Sequence, residues 1–190
     1  MEMKEALQHY LAKQRSSLLL KVEGLSEREL RLPRTPTGTN LIGIVKHCTN
    51  VEYGYFGPTF GRRLDDESDL VDDDAHEEDP QADWYATADE TAADLVATYR
   101  RIQAFADETI ASLSLDARGE VPWWSEAGRR VTLGQIIVHV IDDLARHAGH
   151  ADILREQADG AVGLYAPGDN VPEVDFAAYV ERLTALADRF

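Results

Sequence analysis

The sequence predicts an all-α protein built on a four-helix bundle. Three observations carry that prediction. Four long stretches repeat apolar residues at helical spacing, most of them open on residues that cap helices, and no stretch has a convincing strand pattern over more than four residues. The connections are long enough to include crossovers, and a short helix closes the chain.

The first helix covers residues 4 to about 23, with Leu7, Tyr10, Leu11, Leu18 and Val22 as its apolar stripe and Gly24 as its end. Ser26 and Glu29 are spaced as a capping box for a short turn, and Pro33 and Pro36 then break the chain. Thr39 or Asn40 starts a second long helix, LIGIVKHCTNVEYGYF, in which Ile44, His47, Val51 and Tyr55 share an otherwise apolar face. Residues 65–79 form an acidic run. A calcium loop of the helix–loop–helix type needs glycine at its sixth position and glutamate at its twelfth, and Leu70 and His76 stand there, so a solvated loop or edge is expected. Thr87 and Glu90 are spaced to open a third long helix running to about Leu113, with Leu95, Tyr99, Ile102, Phe105 and Ile110 buried. DARGEVPWWSEAGRR follows as loop. Thr132 and Gln135 cap a fourth long helix over Val131 to Arg155. Residues 161–175 read as irregular, and a last helix, about Phe176 to Ala187, is expected on the outside of the bundle.

At 190 residues the chain is expected to form one domain, 1–190, with residues of about 161–190 as an appendage. A net charge of −16 argues against nucleic acid and anionic membrane as partners. No apolar run approaches the ~20 residues of a membrane span. A single cysteine, Cys48, excludes an internal disulfide framework and fits a cytoplasmic setting.

The fourth helix places His139, Asp143, His147 and His150 within a wedge of about 80°. A lone inward histidine such as His47 is more often a hydrogen-bonded core residue than a ligand, and edge histidines are more often polar contacts. The concentration on the fourth helix changes that weighting. Asp143 and His147, four residues apart, suit two ligands of one ion, and His47 opposite them completes a His/Asp/His set with open positions. Such a set suits zinc, nickel, iron or manganese, and geometry alone does not choose among them. His139 is either a fourth ligand or a pocket group, and His150 is placed to hold a ligand by hydrogen bonding. Cys48 points ~100° away from His47 and reads as a small buried apolar residue. Trp123 and Trp124 either roof a pocket or plug the end of the core.

The inward histidine of the second long helix, followed on the fourth by HVIDDLARHAGHADILR, resembles the DinB-like superfamily, and within it the mycothiol-dependent thiol transferase and maleylpyruvate isomerase branch. The resemblance spans most of the chain in helix order, and Arg146 to Arg155 is its most distinctive run. It implies a DinB-like bundle with long crossover connections and a divalent ion held at His47, Asp143 and His147. Relatives usually have His or Glu at the position of Asp143, so the shorter Asp143 is a departure. It further implies a metal-dependent transferase in which a low-molecular-weight thiol, mycothiol foremost, attacks a small electrophile as a metal-stabilised thiolate. His139 and His150 would then move protons, and Arg146, Arg155, Trp123 and Trp124 would contact the thiol cofactor. A homodimer is the corresponding assembly. A metal-dependent hydrolase and a non-catalytic metal- or ligand-binding stress protein are the alternatives.

Overall fold

The computed structural model describes residues 1–190. Its helices are α1 (Met3–Leu20), α2 (Glu27–Arg31), α3 (Leu41–Phe56), α4 (Asp73–Glu78), α5 (Ala92–Ser112), α6 (Leu133–Asp159) and α7 (Phe176–Ala187). Two three-residue strands, β1 (Arg118–Glu120) and β2 (Arg130–Thr132), form an antiparallel hairpin ahead of α6. The protein therefore has an all-α, DinB-like fold in which α1, α3, α5 and α6 make the bundle. No helix is long and apolar enough to cross a membrane.

Side-chain neighbours fix the helix directions. His47 lies beside His147 and Tyr55 beside His139, so α3 and α6 are antiparallel. Lys4 reaches the Leu113 carbonyl and Arg15 reaches Asp107, so α1 and α5 are antiparallel. Lys46 meets Glu90 and Tyr53 meets Phe105, which makes α3 and α5 parallel. Two parallel helices in succession require the chain to return along the bundle between them, and residues 57–91 make that crossover.

Burial of Leu11, Leu18, Ile44, Tyr99, Ile136 and Leu144 draws the core from all four long helices. Their caps form where side-chain oxygens take up free N–H groups: Asn40 accepts from Gly43 at 2.8 Å, and the Thr132/Gln135 capping box is complete. The bundle centre also holds an ion network. Arg15, only 5% exposed, donates to both Glu52 oxygens and to Asp107, while the Tyr99 hydroxyl donates to Glu52 at 2.9 Å. Burial pushes the Glu52 carboxyl up despite the opposing pull of Arg15.

Five sequence expectations change. Tyr10 is 54% exposed, because the buried stripe of α1 runs through Leu11, Arg15 and Leu18, and Tyr10 sits a helical step away from it. Thr87 and Glu90 do bond, but α5 begins only at Ala92, with Thr91 capping Asp94, since Glu90 is drawn to Lys46. The acidic run contains α4, whose Asp72 cap and first-turn Asp73 and Asp74 favour a helix N-terminus. The stretch around Trp123 is a hairpin connection, with strands too short to show alternation. Its Gly119 packs where a Cβ would come within 2.7 Å of the Thr59 carbonyl oxygen and the Phe60 ring. Finally, α7 does not pack on the bundle: none of its residues is buried.

Candidate metal centre

The face of α3 that carries Asn40, Gly43 and His47 receives the returning crossover. Gly43 is essential to this approach, because a Cβ there would lie 1.8 Å from the Trp84 carbonyl oxygen. The Asn40 amide donates to that same oxygen at 3.0 Å, and buried Lys46 binds the Tyr85 carbonyl and Glu90. The crossover is thereby pinned with two side chains aimed at His47. The Asp83 carboxylate accepts from His47 Nδ1 at 2.7 Å, and the Trp84 indole stacks on the imidazole with centroids 3.8 Å apart and planes 17° apart. An ionised Asp83 accepts only, so His47 carries its proton on Nδ1 and keeps Nε2 free as a ligand atom.

Opposite, α6 directs Asp143 and His147 inward from successive turns. Ligand atoms of His47, Asp143 and His147 all lie within 4.8 Å of one another, and His147 Nε2 is 3.6 Å from Asp143 Oδ1. The His47 and His147 rings meet edge-on at 4.9 Å. Asp143 Oδ2 and His147 Nδ1 are enclosed with no hydrogen-bond partner, which is costly for polar atoms unless something charged engages the group. Burial pushes the Asp143 carboxyl up, but His147, and then His47 and His139, outweigh it and hold the carboxyl below its usual range. An anionic oxygen with two imidazoles at this spacing is a donor set that fits a divalent ion.

The other sequence candidates separate into different surroundings. His139 Nε2 is 2.9 Å from the Tyr55 hydroxyl, which also accepts from Trp124 Nε1 at 3.2 Å. His139 thus belongs to an aromatic corner with Tyr55, Trp123 and Trp124, one turn from Asp143, and not to the group of three that could share an ion. Trp123 rests on Gly54 and is 54% exposed. His150 is exposed, with its ring 5.7 Å from that of His147. Arg146 is exposed and makes no hydrogen bond or ion pair within the chain. Arg155 is engaged elsewhere. It donates to the Leu20, Lys21 and Glu23 carbonyls at the end of α1 and pairs with Asp159. That guanidinium ties α1 to α6. Cys48 is fully buried, and burial, then the Asp143, Glu52 and Asp83 charges, push its thiol well up, which disfavours the thiolate.

Asp83, Trp84 and Tyr55 were not singled out from the sequence as parts of a site. Asp83 and Trp84 sit in the crossover, 36 residues or more beyond His47, and no local pattern marks them. Tyr55 carried a signal, since it shares the His47 face of α3. None of the surface clefts of about 620, 430 and 270 Å³ is lined by His47, Asp143 or His147. The cluster is partly open to solvent, with Asp143 28% and His47 17% exposed at their side chains.

This bundle, with a His/Asp/His cluster that could hold a metal ion between two antiparallel helices, places the chain in the DinB-like class of helical proteins. Within it, this chain belongs to the mycothiol S-transferase family: the family model described as "MST: Mycothiol-S-transferase" matches residues 6–160. A search of curated proteins finds no match.

Proposed function

We propose that this protein is a metal-dependent S-transferase that joins a low-molecular-weight thiol, mycothiol, to a small electrophile. The observation that carries this reading is the convergence of His47, Asp143 and His147. The family to which residues 6–160 belong supports the thiol. The protein's own thiol is withdrawn from chemistry at Cys48, so the reacting sulfur comes with the cosubstrate.

A divalent ion bound to the three side chains, with zinc the first choice, supplies the Lewis acidity that favours thiolate over thiol near neutral pH. The residues around it prepare the site. Asp83 fixes the tautomer and ring plane of His47, and Trp84 covers one face of that ring. Exposed His150, beside His147, is placed to accept the proton that the incoming thiol loses. The indole N–H of Trp124 can only donate, so the Tyr55 oxygen accepts from it and turns its own proton toward His139 Nε2. His139, accepting at Nε2, then carries its proton on Nδ1, and that N–H is the donor left at this corner for a polar atom of the electrophile. A sulfur–carbon bond forms, and the displaced electron pair leaves with the leaving group or takes up a proton.

The test is thiol consumption by purified protein given mycothiol and a fluorogenic halomethyl electrophile, with metal-stripped and zinc-reloaded samples compared. Turnover that needs the metal and disappears in His47→Ala and His147→Ala is the expected result. Metal-independent turnover, or none across a panel of thiols, removes this reading.

A further inference from the structure

The family match ends at residue 160, and the chain beyond it builds a feature that the proposed transferase does not use. Residues 163–165 are anchored on α1 and its C-terminal end. Ser17 Oγ donates to the Leu164 carbonyl at 2.7 Å, Lys21 binds the Gly163 carbonyl, and the Lys13 ammonium lies 4.1 Å from the centre of the Tyr165 ring. From this base the chain projects α7, a 12-residue helix capped by its own Asp175, which accepts from the Ala178 N–H at 3.0 Å. Along α7 and just past it, Phe176, Tyr179, Val180, Leu183, Leu186 and Phe190 stand at least 42% exposed. They follow a heptad: Phe176, Leu183 and Phe190 repeat every seven residues, and Tyr179 and Leu186 fill the intervening positions. Isolated helices of about this length are marginal in water, so one with an uncovered apolar stripe needs something to cover it.

We propose that α7 pairs with α7 of a second copy of this chain, making a two-fold dimer through the appendage and not through the bundle faces. Charge favours a second copy. The whole chain carries −16, which sets two copies against each other everywhere except at a neutral surface. In α7 and the residues after it Glu181 and Asp188 are balanced by Arg182 and Arg189, so beyond its Asp175 cap the helix itself carries no net charge. The same balance, without a basic polar face, argues against an anionic membrane. Area favours it too: five of the six side chains are about half exposed and Phe190 is fully exposed, so together they offer on the order of 600 Å² and a symmetric pair buries about 1,200 Å², the lower end for a stable interface. Leu183 lies at the middle of the stripe from Phe176 to Phe190. In any two-fold pairing of the full stripe, parallel or antiparallel, Leu183 meets its own copy.

The experiment is the mass of the full chain by light scattering over a concentration series, together with oxidative cross-linking. The wild type is expected at twice 21.2 kDa. Leu183→Glu, an exposed position in the single chain, is expected to weaken association on the order of 100-fold while leaving bundle melting unchanged. Leu183→Cys is expected to form an intermolecular disulfide, with Cys48 too buried to compete, whereas the outward-facing Glu181→Cys is not. A wild type that stays monomeric at every concentration, a dimer that survives Leu183→Glu, or equal cross-linking at 181 and 183 overturns the proposal.

Discussion

Asp83 accepts a 2.7 Å hydrogen bond from Nδ1 of His47, and the adjoining Trp84 stacks on the same ring. One dipeptide of the crossover thus sets both the tautomer and the plane of an imidazole on α3. Asp83→Asn is expected to keep the fold and lower zinc affinity about 10- to 100-fold, as loss of a ligand's orienting carboxylate does. Competition with a chromophoric chelator measures it. Unchanged affinity in Asp83→Asn would show that stacking and packing alone orient His47.

Asp143 and Asp142 are neighbours with opposite surroundings, the first turned toward His147 and the second exposed. Asp143→Ala is expected to abolish tight metal binding, and Asp142→Ala to leave it as in the wild type. Equal retention by both variants, read by metal content after gel filtration, would remove Asp143 from the ligand set.

Gly43 gives the crossover its seat on α3. Gly43→Ala puts a Cβ 1.8 Å from the Trp84 carbonyl oxygen, so the backbone of 83–84 must move. The expected cost is about 2 kcal/mol of stability, as for other overpacked contacts, with weaker metal binding in the same variant. Urea unfolding and chelator competition check the two halves separately, and normal metal binding in a destabilised variant would uncouple them.

The Arg15–Glu52 pair is fully inside the bundle, and removing one partner strands the other. Glu52→Ala is expected to destabilise by about 3–5 kcal/mol, because Arg15 keeps only the half-exposed Asp107. Tyr99→Phe, which deletes one hydrogen bond to Glu52, is expected to cost about 1 kcal/mol. Equilibrium urea denaturation distinguishes these sizes.

The Lys46–Glu90 pair, which holds the crossover against α3, makes stability depend on acid. Burial would raise the Glu90 carboxyl, but Lys46 and the Thr87 N–H outweigh it and lower it from 4.5. A lowered carboxyl stabilises fully above its unfolded value, and that contribution fades as pH falls through the folded value. The melting temperature of Glu90→Gln should therefore lie below wild type near neutrality and converge on it in acid. A gap that persists below the folded value would mean that Glu90 acts through packing.

Legibility in the sequence follows the range of the interaction. The long helices, the Asn40 and Thr132 caps and the inward line of Asp143 and His147 were readable because each depends on residues three to four apart on one helix. The same periodicity misplaced Tyr10, since hydropathy does not anticipate that Arg15 is drawn inside by Glu52, 37 residues away. The resemblance offers Arg155 to a thiol cofactor, and only the packing of α1 on α6 shows that its donors engage the end of α1 and Asp159.

What the sequence by itself determined is the set of helices, the residues on their inner faces and the donors available to an ion. Helical geometry dictates these from nearest neighbours along the chain. What only the tertiary structure decided is that Asp83 and Trp84 hold the His47 ring, that Tyr55 claims His139, and that α7 stands uncovered. Those depend on where the crossover between two parallel helices returns, and no local spacing encodes that path.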